Sequence, residues 1–226
     1  MQEKIRGIVL RTVKYKDTDL IVDLFTENYG RMSFVTTVAH GRRRQGGASA
    51  FWRPLNCVEF VADLHATNRL ARPRDVRLYI NYGDIPYSAT KSMLSLFLAE
   101  FLSYTLREQQ ADDPLYGYLE HSLQWLDAAA GGSVANFHLC FLMRLTRFVG
   151  IGVDDARASG LTSLVQPSEQ PYVPLMLRMT FANLHRFRLS RAQRQRMLEV
   201  IQAYYRLHLP AFPDLRSLDV LREVFD

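Results

Sequence analysis

Cysteine is nearly absent from this chain: only Cys57 and Cys140 occur in 226 residues, far apart. That excludes a disulfide scaffold and a cysteine-rich metal site, and leaves two reduced, mostly buried thiols as the expectation. Long hydrophobic runs are lacking too. There is no 18-residue apolar stretch, and Gln2, Glu3, Lys4 and Arg6 interrupt any signal-peptide core, so the chain reads as a cytosolic protein without a membrane partner. Lysine is the third scarcity. Lys4, Lys14, Lys16 and Lys91 are the only lysines among 28 basic residues, so the positive surface is essentially guanidinium, which grips phosphate through paired hydrogen bonds and stacks on bases. An arginine-biased genome produces the same count, so the count alone decides nothing.

What is present is unevenly placed. Residues 1–80 hold 14 Lys+Arg against 8 Asp+Glu, a net of +6, whereas residues 81–226 hold 14 against 15, a net of −1. A basic first third points to a polyanion as partner. With 48% hydrophobic residues the chain can bury a proper core as one large or two small domains, and the charge break favours two, 1–82 and 83–226.

The first third carries strand signals. Ile8, Val9, Leu10 and Val13 lie in a run over 5–15, Asp17 and Thr18 make a turn, and a second run over 18–26 centres on Leu20, Ile21, Val22, Leu24 and Phe25. Asn28-Tyr29-Gly30 reverses the chain into a third run, 31–39, alternating at Met32, Phe34, Thr36 and Val38. Further strands are expected over 55–63 and near 76–80. Five short strands fit an OB-type barrel, whose face and loops commonly bind oligonucleotides. After residue 86 the period becomes helical: 89–107, a helix opened by Pro114, and 134–149. Residues 150–189, rich in Gly and Pro, read as irregular with a short strand or two. Ser190 suits the N-cap of a helix running to about His208, and a last short helix ends at Phe225. The fold class is therefore α+β: a five-stranded OB-fold barrel followed by a larger α-helical domain.

Catalytic patterns fail one by one. The run Gly41 to Gly47 holds the four-residue glycine spacing of a phosphate-binding loop but has Gly47-Ala48 where Lys-Ser/Thr is needed, so the phosphate clamp and the Mg²⁺ ligand are missing. Gly150-Ile151-Gly152 follows a helix and lacks a third glycine; it reads as a helix stop. Six histidines sit in separate elements, and His138 and Cys140 point about 200° apart on a helix. Asp112-Asp113 and Asp154-Asp155 lie at element boundaries and read as caps. No metal, cofactor or catalytic residue is expected.

The remaining chemistry is cationic and aromatic. Arg11, Lys14, Lys16, Arg31, Arg42, Arg43, Arg44, Trp52 and Arg53, with Tyr15, Phe34 and Phe51 interleaved, supply charges for a phosphate backbone and rings for bases. The rings of Phe34, Phe51 and Trp52 could equally fill a barrel, and the arginine run could be a solvated loop. Arg186, Arg188, Arg191, Arg194 and Arg196 surround the start of the Ser190 helix, where the macrodipole is already positive, so they either take an acidic partner peptide or a DNA phosphate, or splay into solvent and pair with acids of the same domain. Phe137, Phe141, Arg144 and Arg147 form a second candidate for an acidic tail with an apolar end.

The run Gly7-Ile8-Val9-Leu10-Arg11, then Tyr15-Lys16-Asp17-Thr18-Asp19-Leu20-Ile21-Val22, Leu24-Phe25-Thr26 and Tyr29-Gly30-Arg31, resembles the opening of the RecO family of bacterial DNA repair proteins. The likeness continues through Val38-Ala39-His40-Gly41-Arg42-Arg43, Trp52-Arg53-Pro54-Leu55, Phe148 to Val153, Tyr204 to Pro210, Phe212-Pro213 and Leu218 to Phe225. The resemblance implies an OB-fold before a helical domain, binding of single- and double-stranded DNA, and annealing of complementary strands. It also implies engagement of RecR and of the acidic C-terminal tail of single-strand-binding protein, indirect action on RecA, and a cytoplasmic, nucleoid-associated place. Some members carry four cysteines at zinc-finger spacing where this chain has Asp154 to Leu175 without Cys or His, so no zinc is expected here. Two rivals stand beside this reading: an interaction adaptor with an OB domain and no direct DNA role, and an Mg²⁺-dependent phosphodiester enzyme using Asp17, Asp19 and Asp23.

Overall fold

The computed structural model describes residues 2–37, 50–64, 70–155, 160–209 and 211–218. Five strands form one antiparallel sheet: β1 (Gln2–Lys14), β2 (Asp19–Thr26), β3 (Gly30–Thr37), β4 (Cys57–Asp63) and β5 (Arg74–Leu78), in the order β3-β2-β1-β4-β5. The first three make a meander, and β4 returns to the other edge of β1. The strand spacing predicts an OB-type barrel, and the five strands form an OB-like open sheet. The segment before β5 closes part of the gap, with Val35 donating its N–H to the Ala71 carbonyl at 3.1 Å. Among the described residues five α-helices follow: α1 (Ala89–Thr105), α2 (Asp113–Ala128), α3 (Phe137–Phe148), α4 (Tyr172–Arg178) and α5 (Arg191–His208). None is long and apolar enough to cross a membrane among the described residues.

By packing the chain divides into two compact units, Met1–Tyr82 with Leu98–His121, and Gly83–Phe97 with Ser122–Asp226. In the first unit both sheet faces are buried. Ile5, Val9, Val22, Leu24, Phe34, Val58 and Phe60 fill the barrel interior, with Phe34 edge-on to Phe60 at 4.9 Å. On the other face Ile8, Phe25 and Cys57 are fully buried, and Phe25 meets the Tyr116 ring of α2 at 6.1 Å. That double burial explains why β1 reads as a continuous apolar run rather than an alternating one. The β2–β3 turn needs glycine. Gly30 lies at φ +67°, and a Cβ there would stand 2.5 Å from the Gln109 carbonyl oxygen.

In the second unit Trp125, Phe137 and Phe181 stack on one another with centroids 5.2–5.6 Å apart. Tyr205 of α5 donates to the Leu142 carbonyl at 2.8 Å and Tyr204 to that of Ile151 at 2.9 Å. The Asp127 carboxylate accepts the N–H groups of Gly83, Asp84 and Ile85, each at 2.8 Å. Burial pushes its pKa up, and those three donors reverse the shift, so the carboxyl stays below its ordinary value. The buried Lys91 ammonium bonds the Asp127 carbonyl and the Asp84 carboxylate, so this lysine serves the fold.

Local signals act as read. Asp112 caps α2 by accepting the Leu115 N–H at 2.8 Å, and Ser190 caps α5 in a reciprocal pair with Gln193. Gly150, at φ +76°, ends α3, with the Ile151 N–H returning to the Thr146 carbonyl at 3.0 Å. Residues 150–189 differ from expectation. Instead of a short strand or two, the described residues hold 3-10 turns at Leu161–Leu164, Pro167–Glu169 and Phe181–Arg186, and the helix α4. Pro171 and Pro174 explain the difference: they fall before and within the first turn of α4, where a missing N–H costs nothing. Most of the expected final helix lies outside the described residues.

Candidate nucleic-acid interface

The end of the sheet at the β1–β2 hairpin carries the exposed cations. Tyr15 and Lys16 both donate their N–H to the Asp19 carbonyl, at 2.9 and 3.3 Å, which closes a tight connection between the strands. Lys14 and Lys16 point outward around it, and the Lys16 ammonium lies 5.3 Å from the Tyr15 ring centroid. The hairpin is anchored on both sides. Thr12 donates its hydroxyl to the Trp52 carbonyl at 2.9 Å, and the Asp19 carboxylate accepts from Thr37 at 2.8 Å and Arg72 at 3.0 Å. Arg72 first, then Thr37, hold that carboxyl below its ordinary range.

The segment carrying Arg53 runs along β1. Leu55 donates to the Val9 carbonyl at 2.8 Å and Val9 donates to that of Asn56 at 3.0 Å, with Leu55 in the left-handed region at φ 62°. Arg11 and Lys14 of β1, Lys16 of the turn after it and Arg53 of the segment before β4 are all exposed. Arg42, Arg43 and Arg44 lie outside the described residues.

Two expected contacts are not on offer. Trp52 is 3% exposed and packs its ring against Phe60 at 6.3 Å, so the indole fills the barrel. Arg31 is 16% exposed, paired with Asp23 at 3.0 Å and donating to the Ser103 carbonyl. Asp23 also accepts from Ser33 at 2.5 Å. Asp19 and Asp23 are therefore engaged by guanidinium and hydroxyl groups, and no group of three possible metal ligands comes together among the described residues.

Sequence reasoning missed a third cationic cluster. Glu59, 3% exposed on β4, receives Lys4 at 3.0 Å and Arg6 at 3.1 Å from β1, and Arg77 from β5. Burial alone would raise this carboxyl, yet Lys4, Arg77 and Arg6 bring it down to about 2. Arg6 also lies over the Tyr79 ring at 5.0 Å. The signal was available in Lys4-Ile5-Arg6, since alternation puts both cations on one strand face. The cysteines are both buried, and burial raises each thiol to about 11.

In the second unit the arginines divide. Arg147, Arg186, Arg188 and Arg191 are exposed. Arg194 is half-buried and donates to the Leu189 carbonyl at 2.5 Å, while Arg196 binds Glu169 at 2.7 and 3.0 Å and Glu199 at 3.4 Å. Arg144 donates to the Met179 carbonyl at 3.2 Å, and Phe137 and Phe141 are fully buried, so these three belong to the packing of α3. His138 is buried too, and its pKa falls to about 3, first from burial and then from Arg194. An apolar hollow of about 220 Å³, unforeseen from sequence, lies between Tyr172 and Met176 of α4 and Ala192, Met197 and Val200 of α5, with the Arg196–Glu169 pair on its wall.

Comparison with known proteins agrees with this architecture. Residues 1–81 match the family model for the N-terminal part of recombination protein O, and residues 87–159 match the model for its C-terminal part. Curated relatives each named DNA repair protein RecO align over all or nearly all of the chain and of their own length. The protein from Bacteroides fragilis is 41% identical over 244 residues and that from Phocaeicola vulgatus 39% over 242. That from Porphyromonas gingivalis is 34% identical over 243 residues, covering 98% of each chain. With an OB-like sheet, a helical remainder and relatives along its full length, the chain belongs to the RecO family of DNA repair proteins, with a role in recombinational repair.

Proposed function

We propose that this chain is a non-catalytic DNA-binding mediator of recombinational repair. It binds single- and double-stranded DNA, anneals complementary strands and, with RecR, helps load RecA onto strands coated by single-strand-binding protein. The observation that carries the reading is the group of exposed cations, Arg11, Lys14, Lys16 and Arg53, on one end of an OB-like sheet, next in chain to the Arg42–Arg44 run. Such a surface tracks phosphates without needing a reactive group. The DNA-contacting set is accordingly Arg11, Lys14, Lys16, Arg42, Arg43, Arg44 and Arg53, with Trp52 and Arg31 reassigned to the fold. Its working place is with the nucleoid.

The test is a salt titration of single-strand binding by fluorescence anisotropy. For each phosphate neutralised, log K falls by about 0.7 per log unit of salt; a flat line rejects the reading, and failure to speed annealing of complementary oligonucleotides rejects its second half.

A protein tail has its own candidate surface. Arg147, Arg186, Arg188 and Arg191 are exposed in the helical unit, whose hollow between α4 and α5 is lined by apolar side chains. An acidic tail with an apolar end, as on single-strand-binding protein, suits that chemistry. Arg186→Glu with Arg191→Glu should then abolish tail binding while leaving single-strand affinity within about twofold.

A further inference from the structure

The sheet and its loops carry several aromatic rings, and burial separates them sharply. Phe25, Phe34, Trp52 and Phe60 are inside, and Phe51 is half-buried against the barrel core. Tyr29 is partly exposed, but its hydroxyl donates to Glu3 and Glu27 adjoins the same turn, an acidic setting hostile to phosphate. Tyr15 sits in a net cationic setting, Lys14 and Lys16 against the single Asp17 of its turn. It is 54% exposed, stands at the tip of the β1–β2 hairpin, and is flanked by the exposed Lys14 and Lys16. The turn beneath it is held by two N–H groups on the Asp19 carbonyl and by the ties of Asp19 to Arg72 and Thr37. The Lys16 ammonium lies 5.3 Å from the Tyr15 ring centroid, so an unpaired base stacks on the ring's other face while the flanking cations neutralise its phosphates.

We infer that Tyr15 is the base-stacking platform of this protein, making the β1–β2 hairpin tip the surface that tells single-stranded from double-stranded nucleic acid. The inference rests on the DNA-binding reading above and deepens it. A base within a duplex has both faces covered by its neighbours and cannot stack on Tyr15 without leaving the helix, whereas a single strand offers its bases at little cost. Lys14 and Lys16 contribute to both ligands, because phosphates are common to them. The ring therefore acts on selectivity and the lysines on affinity and salt dependence.

The experiment measures binding of a labelled oligothymidylate and of a duplex of equal length across a salt series. It compares the full-length protein, Tyr15→Ala, Tyr15→Phe, Tyr15→Trp and Lys14→Ala/Lys16→Ala. Tyr15→Ala should weaken single-strand binding about tenfold with a parallel salt line and shift duplex affinity about twofold at most, since stacking is not ionic. Tyr15→Phe restores single-strand binding, and in Tyr15→Trp the new indole fluorescence is quenched by oligothymidylate. The lysine pair instead flattens the salt line for both ligands. Equal losses on single strand and duplex, or an unchanged Tyr15→Ala, overturn the inference while leaving the DNA-binding reading intact. If the unaltered protein shows no salt-dependent binding, that reading falls and the inference with it.

Discussion

Two arginine- and lysine-bearing regions, the β1–β2 hairpin end of the sheet and the start of α5, look alike in sequence and differ in what their charges do. At the hairpin, Lys14 and Lys16 stand exposed at the tip, and Arg11 and Arg53 are exposed too; of the two acids there, Asp17 is exposed and Asp19 is already held by Arg72 and Thr37. At the start of α5 the charges divide: Arg186, Arg188 and Arg191 are exposed, whereas Arg196 is tied to Glu169 and Glu199, and Arg194 is turned back onto the Leu189 carbonyl. Ser190 and Gln193 satisfy the terminus itself. The lesson is that a cation count measures potential partners, while availability depends on which acids and carbonyls the fold brings within reach.

The sharpest way to break the comparison is to disturb residues that resemble interface groups but serve the core. Trp52→Ala should cost about 3–5 kcal/mol by leaving a void beside Phe60, read as a lower denaturant midpoint, while the milder Trp52→Phe should leave single-strand affinity within about twofold. A stable Trp52→Ala with weakened DNA binding would return the indole to the interface. Next in size, Arg31→Ala should lower stability by about 2–3 kcal/mol, because the half-buried Asp23 loses its cation and the Ser103 carbonyl its donor.

On the interface side, Lys14→Ala/Lys16→Ala should reduce the salt slope of single-strand binding by about 1.4, two phosphates' worth, with little change in melting temperature. Arg196→Ala should do the reverse, lowering the melting temperature by about 1–3 °C with the DNA salt slope unchanged. The smallest effect is acid dependence. The Glu59 carboxyl ionises near 2 when folded and near 4.5 when unfolded, so its cluster stabilises the fold fully above about pH 4.5 and loses that contribution as pH falls toward 2. Glu59→Gln should remove about 1 kcal/mol of stability at neutral pH and flatten the loss between those values, the figure being reduced because all three cations are exposed and screened.

Much of the architecture was legible because local chemistry governs it. The strand runs broken by Asn28-Tyr29-Gly30, the Ser190 cap, the Asp112 cap and the Gly150 stop depend on neighbours within a few residues, and each signal acts in the fold as it does in sequence. Residues 150–189 were harder, since proline forbids strand interiors and helix interiors alike but is welcome in a first helical turn. The site was legible in composition and only partly in residues. Arg31 meets Ser103 across 72 positions, and Glu59 gathers Lys4, Arg6 and Arg77 from two other strands. No local pattern encodes such encounters. The same holds for the hollow between α4 and α5.

By itself the sequence determined the α+β class, the order of the strands and long helices, the family and the concentration of positive charge in the first third, because periodicity, caps and composition are properties of neighbouring residues. Tertiary structure decided which rings and charges remain for a ligand. Phe34 and Trp52 went into the barrel, and Arg31, Lys91, Arg194 and Arg196 were bound by partners distant in sequence or by backbone carbonyls. Tyr15, Lys14 and Lys16 were left outward at the hairpin tip. The physical reason is that burial and pairing depend on what faces a side chain in space, and a strand shows two faces of identical local sequence until the rest of the chain packs against one of them.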